Sequence, residues 1–142
     1  MKSPTGTSEG TAFPPDLERL GIAPGADRRD VHVHFPAGAV PKDGPSAGIA
    51  MTTALVSLFT GRTVKANLAM TGEVTLQGRV LPIGGVKQKL LAAHRAGLTE
   101  IILPARNEAD LDDVPEAVRS QLTIHLATDV ADVVRWALQP AA

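Results

Sequence analysis

The chain has 142 residues and a formal net charge of −1 at pH 7, with 44% hydrophobic and 20% charged residues. This length suits one domain with a sizeable core, and the near-neutral charge offers no basic face to nucleic acid or to an anionic membrane. The absence of cysteine excludes disulfides, thiolate zinc sites and cysteine nucleophiles. No segment has the apolar run of a signal peptide or a membrane span, so we expect a cytoplasmic protein.

The first part of the chain is predicted to contain little regular structure before one buried helix. In order, we predict a flexible N-terminal tail at residues 1–15, a helical turn at Asp16–Leu20, a strand at Val31–Phe35, a loop at Ala37–Pro45 and a helix at Ser46–Thr60. The strand is indicated by the alternation VHVHF. The helix has an apolar stripe that includes Ile49, Thr53 and Val56, and Gly61 is expected to end it.

The second part alternates predicted strands and helices. In order, we predict a strand at Ala66–Met70, a hairpin of Glu73–Gln77 and Arg79–Ile83, a helix from Gly84-Gly85 to about Ala96, a strand at Glu100–Leu103, helical turns within Asn107–Gln121, a strand at Leu122–Leu126 and a helix at Asp129–Leu138. Asp129 is the expected N-cap of the last helix. This alternation predicts an α/β (α+β) sandwich with a mixed sheet, forming one domain over residues 16–142.

Ser46, in the segment PKDGPSAG, is a candidate nucleophile because a tight loop is predicted to enter a helix there. Unpaired N–H groups in a first helical turn carry the positive end of the helix dipole, and acyl transfer needs such donors for the oxyanion. Gly44 and Gly48 would let a peptide approach the backbone. The simpler interpretation is that Ser46 caps the helix, which is the commonest use of serine at this position. The segment does not match the G-x-S-x-G nucleophile elbow.

A serine nucleophile needs a proton acceptor, and the segment PIGGVKQKLLAAH supplies two lysines. Lysine serves as a base when desolvation lowers its pKa toward about 7 or 8. Lys87 and Lys89 flank the apolar stripe of the predicted helix on opposite sides, so periodicity does not choose between them. The small residues on the side of Lys89 favour it weakly. Both could also be ordinary solvated lysines.

The segments PKDGPSAG, MTGEVTL and LPIGGVKQKLLAAH resemble, in order and spacing, the peptidase domain of Lon proteases over about Val31–Leu138. The resemblance implies a fold like domain 2 of ribosomal protein S5. It also implies Ser46 as nucleophile and Lys89, the second lysine of its motif, as general base. Further residues near the site by the same resemblance are Thr71, Glu73, Asp43, His34 and His32, with the backbone of Gly44, Pro45 and Ala47 around the oxyanion.

Simpler roles stay open for the supporting residues. Thr71 and Glu73 could serve only as strand residues, and His32 and His34 could be plain structural residues. We expect no metal site, because no third ligand accompanies the two histidines.

The same resemblance implies unfolded proteins or peptides as substrates, hexameric rings as the oligomer, and ATP hydrolysis in a separate module. No G-x-x-x-x-G-K-[ST] motif occurs in this chain, so we expect no cofactor here and no intrinsic ATPase. The strands and long helix that begin the family's domain are expected to be replaced by the proline- and glycine-rich tail.

Three functions compete at this point. The first is a serine endopeptidase acting in protein degradation, and the second is an inactive remnant or interaction domain that keeps the fold. A nucleic-acid-binding module is disfavoured by the charge and by the scarcity of aromatic residues. The first two differ in whether Ser46 and Lys89 lie within hydrogen-bond reach of each other.

Overall fold

A computed structural model describes residues 18–23, 30–32 and 44–140. Its strands are β1 (Leu68–Met70), β2 (Glu73–Val74), β3 (Val80–Leu81), β4 (Glu100–Pro104) and β5 (Thr123–Ala127), and its α-helices are α1 (Gly48–Thr60), α2 (Val86–Arg95), α3 (Glu116–Arg119) and α4 (Val130–Ala137). Short 3₁₀ helices lie at Glu18–Leu20, Gly44–Ala47 and Ala105–Asp113. No helix in these ranges is both long and apolar enough to cross a bilayer.

The described strands form two sheets. A three-stranded parallel sheet has the order β1-β4-β5, and an antiparallel hairpin pairs β2 with β3. The helix α2 lies between β1 and β4 in the chain, as a parallel crossover requires. Gly78 turns the hairpin with a φ of 88°, a conformation that glycine adopts without steric cost. The predicted α/β class and the mixture of parallel and antiparallel pairing are therefore confirmed.

The central strand β4 is buried on both faces, which explains its continuous apolar sequence. Ile101 and Leu103 pack with Val86 and Leu90 of α2 on one face. Ile102 packs on the other face with residues of α1 and α4, among them Ile49 and Val133. The sheet is thus sandwiched between α2 and the pair α1 and α4.

Several ends of helices lie where local sequence signals predict them. Gly61 and Gly97 adopt left-handed conformations after α1 and α2, with φ of 73° and 82°, as expected for glycines that end helices. The helical turn at Glu18–Leu20 ends before Gly21, and Asp129 caps α4.

Other boundaries differ from the predictions. The α-helix begins at Gly48 rather than Ser46, because Gly44–Ala47 forms a tighter 3₁₀ helix first. β1 begins at Leu68, since Asn67 has a φ of 61° that ends extended pairing. Val31 and His32 do not pair as a strand and are exposed. Val33–Phe35, the tail at residues 1–15 and most of the loop at 37–45 lie outside the described residues.

Candidate active site

Thr71 lies at the carboxyl end of β1 and joins two other segments. Its backbone N–H donates to the carbonyl of Ile102 at 3.1 Å, so it extends the ladder with β4. Its side chain is only 7% exposed. The hydroxyl oxygen accepts a hydrogen bond from Lys89 Nζ at 3.3 Å, and the hydroxyl O–H donates one to the carbonyl oxygen of Ser46 at 3.3 Å. One buried hydroxyl therefore links the lysine of α2 to the backbone of the serine segment.

Ser46 lies in the 3₁₀ helix before α1 and is partly buried. Its carbonyl oxygen also accepts the N–H of Gly72 at 2.9 Å, and the N–H of Ile49 donates to the carbonyl of Gly72 at 3.0 Å. The cap position of α1 is occupied by Ala47, with no side-chain hydrogen bond there. The interpretation of Ser46 as the N-cap of α1 is therefore wrong, because the 3₁₀ helix places Ser46 one residue before the N-cap position.

Two glycines allow this close backbone contact. A Cβ built on Gly48 would lie 3.0 Å from the backbone nitrogen of Val74 and 3.2 Å from the carbonyl oxygen of Gly72. A Cβ on Gly72 would lie 3.2 Å from Val80 and 3.3 Å from Ile49. The bare side of Gly48 thus faces this chain's own backbone. The predicted purpose of Gly48, room for a peptide substrate, is not the one that its packing supports.

The two candidate lysines of α2 differ in their surroundings. Lys87 is exposed, whereas Lys89 is partly buried and its Nζ donates to Thr71. The backbone N–H of Lys89 donates to the carbonyl of Gly85 at 3.0 Å. The first turn of α2 therefore directs Lys89, rather than Lys87, toward the end of β1.

The two dyad candidates are linked indirectly. Within the described ranges, no hydrogen bond joins the Ser46 hydroxyl to Lys89 Nζ, and Thr71 bridges from Lys89 to the serine backbone. Catalytic hydrogen bonds are often long without substrate and tighten in the Michaelis complex. The arrangement brings the segment of the candidate nucleophile Ser46 and the amine of Lys89 to the buried Thr71 hydroxyl.

The remaining candidates fall into separate groups. Glu73 is partly buried in β2 opposite Leu81, so it does take part in strand pairing. His32 is exposed, while His34 and Asp43 lie outside the described residues. Gly44 and Pro45 belong to the 3₁₀ helix. Pro45 lacks an amide hydrogen, so it cannot be an oxyanion donor, and its predicted place there is limited to shaping the turn.

Asn107 belongs to this region but was not anticipated from the sequence. Its side chain is 3% exposed and forms two hydrogen bonds with the backbone of Ile83, just before α2. It lies in a polar stretch with no periodic pattern, and no sequence signal marks it as buried. Its partner Asp110 lines a cleft of about 440 Å³ at the start of α2, together with residues 83–88 and Asp113.

Comparison with known proteins covers nearly all of the described chain. Residues 14–140 match the family model of the Lon protease (S16) C-terminal proteolytic domain. The Lon protease of Frankia alni is 73% identical over 113 residues, which are 80% of this chain and 13% of that protein.

Two further relatives agree. The Lon protease of Salinispora arenicola is 68% identical over 124 residues (87% of this chain, 16% of that protein). Lon protease 1 of Bacillus subtilis is 60% identical over 122 residues (85% and 16%). The chain therefore spans only 13% to 16% of the length of these relatives.

Proposed function

Since this chain belongs to the Lon protease (S16) family and carries its C-terminal proteolytic domain, we propose that it is a serine endopeptidase with Ser46 as nucleophile and Lys89 as general base. The observation that carries the proposal is the Thr71 hydroxyl, which contacts both segments. Lys89 is partly buried and Lys87 is exposed, which supports Lys89 as the base.

The direction of the Thr71 hydrogen bonds bears on the chemistry. A carbonyl oxygen only accepts, so the single hydroxyl hydrogen of Thr71 is committed to Ser46 O. Thr71 must then accept a hydrogen from Lys89. A neutral amine that donates one of its hydrogens to Thr71 keeps its lone pair free for the proton of a nucleophile. Thr71 thereby orients the base without competing for its lone pair.

The reaction follows from these roles. Lys89 takes the proton of the Ser46 hydroxyl as Oγ attacks the peptide carbonyl carbon, and backbone N–H groups near Ser46 stabilise the oxyanion. The resulting ammonium protonates the leaving amine, the C–N bond breaks, and an ester to Ser46 remains. Lys89 then takes a proton from water as the water oxygen attacks the ester carbon, and the Lys89 ammonium returns a proton to Ser46 Oγ as the ester C–O bond breaks, releasing the acid, free Ser46 and neutral Lys89.

The proposed substrates are unfolded proteins or peptides, in line with the names of the relatives as proteases. The proposed assembly is a homo-oligomeric ring in the cytoplasm, and ATP-driven steps would be supplied outside these 142 residues. Every group in the proposed hydrolysis belongs to this chain or to water.

Hydrolysis of a fluorogenic peptide and of an unfolded protein by the wild type, Ser46→Ala and Lys89→Gln tests the proposal. We expect cleavage by the wild type and a loss of about 10² to 10⁴-fold or more in both variants. Circular dichroism of each variant provides the folding control. Equal rates for all three proteins would overturn the proposal and would favour the alternative of a domain that keeps the fold without turnover.

A further inference from the structure

The start of α2 has no cap of its own. Its N-cap residue is Gly85, with a φ of 73° and no side-chain hydrogen bond, and Gly84 precedes it. Two successive glycines leave a chain with more conformational freedom than any other pair of residues. Lys89 lies four residues beyond Gly85 and its own N–H closes the first helical hydrogen bond there. Core packing of Val86 and Leu90 holds the body of α2, so the position of Lys89 in its first turn also depends on what holds the chain just before the glycines.

Asn107 holds the chain at that point. Its Oδ1 accepts the N–H of Ile83 at 2.9 Å and its Nδ2 donates to the carbonyl of Ile83 at 2.8 Å. The side chain thus pairs with both backbone groups of Ile83, as a neighbouring strand would. At 3% exposure the amide is shielded from water, so each of these hydrogen bonds is costly to break.

Asp110 fixes the orientation of that amide. The second hydrogen of Asn107 Nδ2 is donated to Asp110 Oδ2 at 2.7 Å. A flipped amide would place its oxygen against the Ile83 carbonyl and the Asp110 carboxylate, and its NH₂ against the Ile83 N–H. Only one orientation satisfies all three partners.

From these contacts we infer that Asn107 is a positioning residue for the general base: by pairing with Ile83 it fixes the entry to α2 and so places Lys89 against Thr71. Among the described residues, no hydrogen bond joins Asn107 to Ser46 or Lys89, so it acts through the backbone of residues 83–85. The inference rests on the proposed function of Lys89.

The test compares Asn107→Asp and Asn107→Ala with Val134→Ala, a core substitution in α4 that removes side-chain packing in a different cluster. Asn107→Asp keeps the size of the side chain but turns a carboxylate oxygen toward the Ile83 carbonyl and Asp110. We expect about a tenfold to hundredfold fall in kcat for both Asn107 variants, with KM nearly unchanged, because small displacements of a catalytic group are costly. Val134→Ala should lower the midpoint of thermal unfolding by about as much as the Asn107 variants do. It should leave kcat within about twofold, since its contacts lie away from Lys89.

Hydrogen exchange supplies a readout that does not need turnover, and its wild-type arm does not need a folded variant. In the wild type, the amide of Ile83 should exchange slowly, because its N–H is paired with the buried side chain of Asn107. In Asn107→Asp, exchange should accelerate at Ile83 and in the first turn of α2 but not in α4. Fast exchange at Ile83 in the wild type, or Asn107 variants with wild-type kcat, would overturn the inference. Loss of activity in Lys89→Gln alongside unchanged Asn107 variants would separate its failure from that of the proposed function.

Discussion

The helix starts of this domain differ in a way that separates the site from the scaffold. α4 begins with a capping box in which Asp129 accepts the N–H of Ala131 at 2.8 Å and Asp132 accepts the N–H of Asp129 at 3.3 Å. The N-cap residues of α1 and α2 are Ala47 and Gly85, and neither position has a side-chain hydrogen bond. α3 also begins without a side-chain cap. The candidate nucleophile and base are carried by the starts of α1 and α2, whereas the capped start of α4 carries neither.

The difference shows where each start obtains its stability. The start of α4 is fixed by residues within one helical turn. The serine segment is fixed instead by backbone hydrogen bonds with Gly72, and the start of α2 by the side chain of Asn107. Changes at the site's distant partners should therefore affect activity, while changes at the α4 cap should affect stability alone.

The largest effect is expected from Gly48→Ala. Its new Cβ would meet backbone atoms of residues 72–74 at 3.0 to 3.4 Å, so β2 and the start of α1 must move apart. We expect a loss of about 1 to 3 kcal/mol of stability, and peptide hydrolysis should fall as the Ser46 segment moves. Urea denaturation and initial rates measure both. Gly84→Ala is the stability control, because nothing lies within 4 Å of its Cβ. Equal stability of the two variants would contradict the close approach of the backbone at Gly48.

Thr71→Val removes the hydroxyl that bridges the starts of α1 and α2. Valine has nearly the same shape, so the fold should persist, while Lys89 loses its hydrogen-bond partner. We expect kcat to fall about tenfold to hundredfold, with a loss of about 1 kcal/mol in stability. Thr71→Ser should restore most of the kcat. Failure of serine to restore it would indicate that the methyl group, not the hydroxyl, matters.

Asp129→Ala tests the scaffold side of the comparison. It removes the cap of α4 and the ion pair with Arg19 at 2.9 Å. We expect a loss of about 1 kcal/mol in stability with kcat unchanged, as measured by thermal unfolding and peptide hydrolysis. A large fall in kcat at full folding would show that the capped start is coupled to the site.

The smallest effect is a pH dependence at the same cap. Burial raises the pKa of Asp132, but hydrogen bonds from Arg135 and Thr128 outweigh it and hold the pKa below its ordinary value of 3.8. A depressed folded-state pKa adds stability that is present above about pH 4 and is lost as the pH falls through the folded value. Asp132→Asn should therefore be less stable than the wild type by a few tenths of a kcal/mol at pH 6, and denaturation at about pH 3 should show a smaller difference. A constant difference would contradict this origin.

The sequence predicted those parts of the fold that local signals control. Gly61, Gly97 and Asp129 end or begin helices as their residue types indicate, because each acts on its own backbone or its nearest turn. The alternation VHVHF was a weaker guide, since strand pairing depends on a partner elsewhere, and Val31 and His32 remain unpaired.

The candidate site was predictable only in part. Small residues beside Lys89 favoured it over Lys87, and the partial burial of Lys89 agrees with that expectation. The roles of Gly48 and Asn107 arise from contacts with residues 24 or more positions away. A polar asparagine in a polar stretch gives no local sign that it will be buried, so these roles need the tertiary structure.

The central claim is that Lys89, and not Lys87, activates Ser46. Its most direct test is the rate at which an organofluorophosphate labels Ser46, followed by peptide mass spectrometry, in the wild type, Lys87→Gln and Lys89→Gln. We expect labelling at Ser46 with equal rates in the wild type and Lys87→Gln, and a rate at least about 100-fold lower in Lys89→Gln. Equal labelling in Lys89→Gln, or a label on another residue, would contradict it.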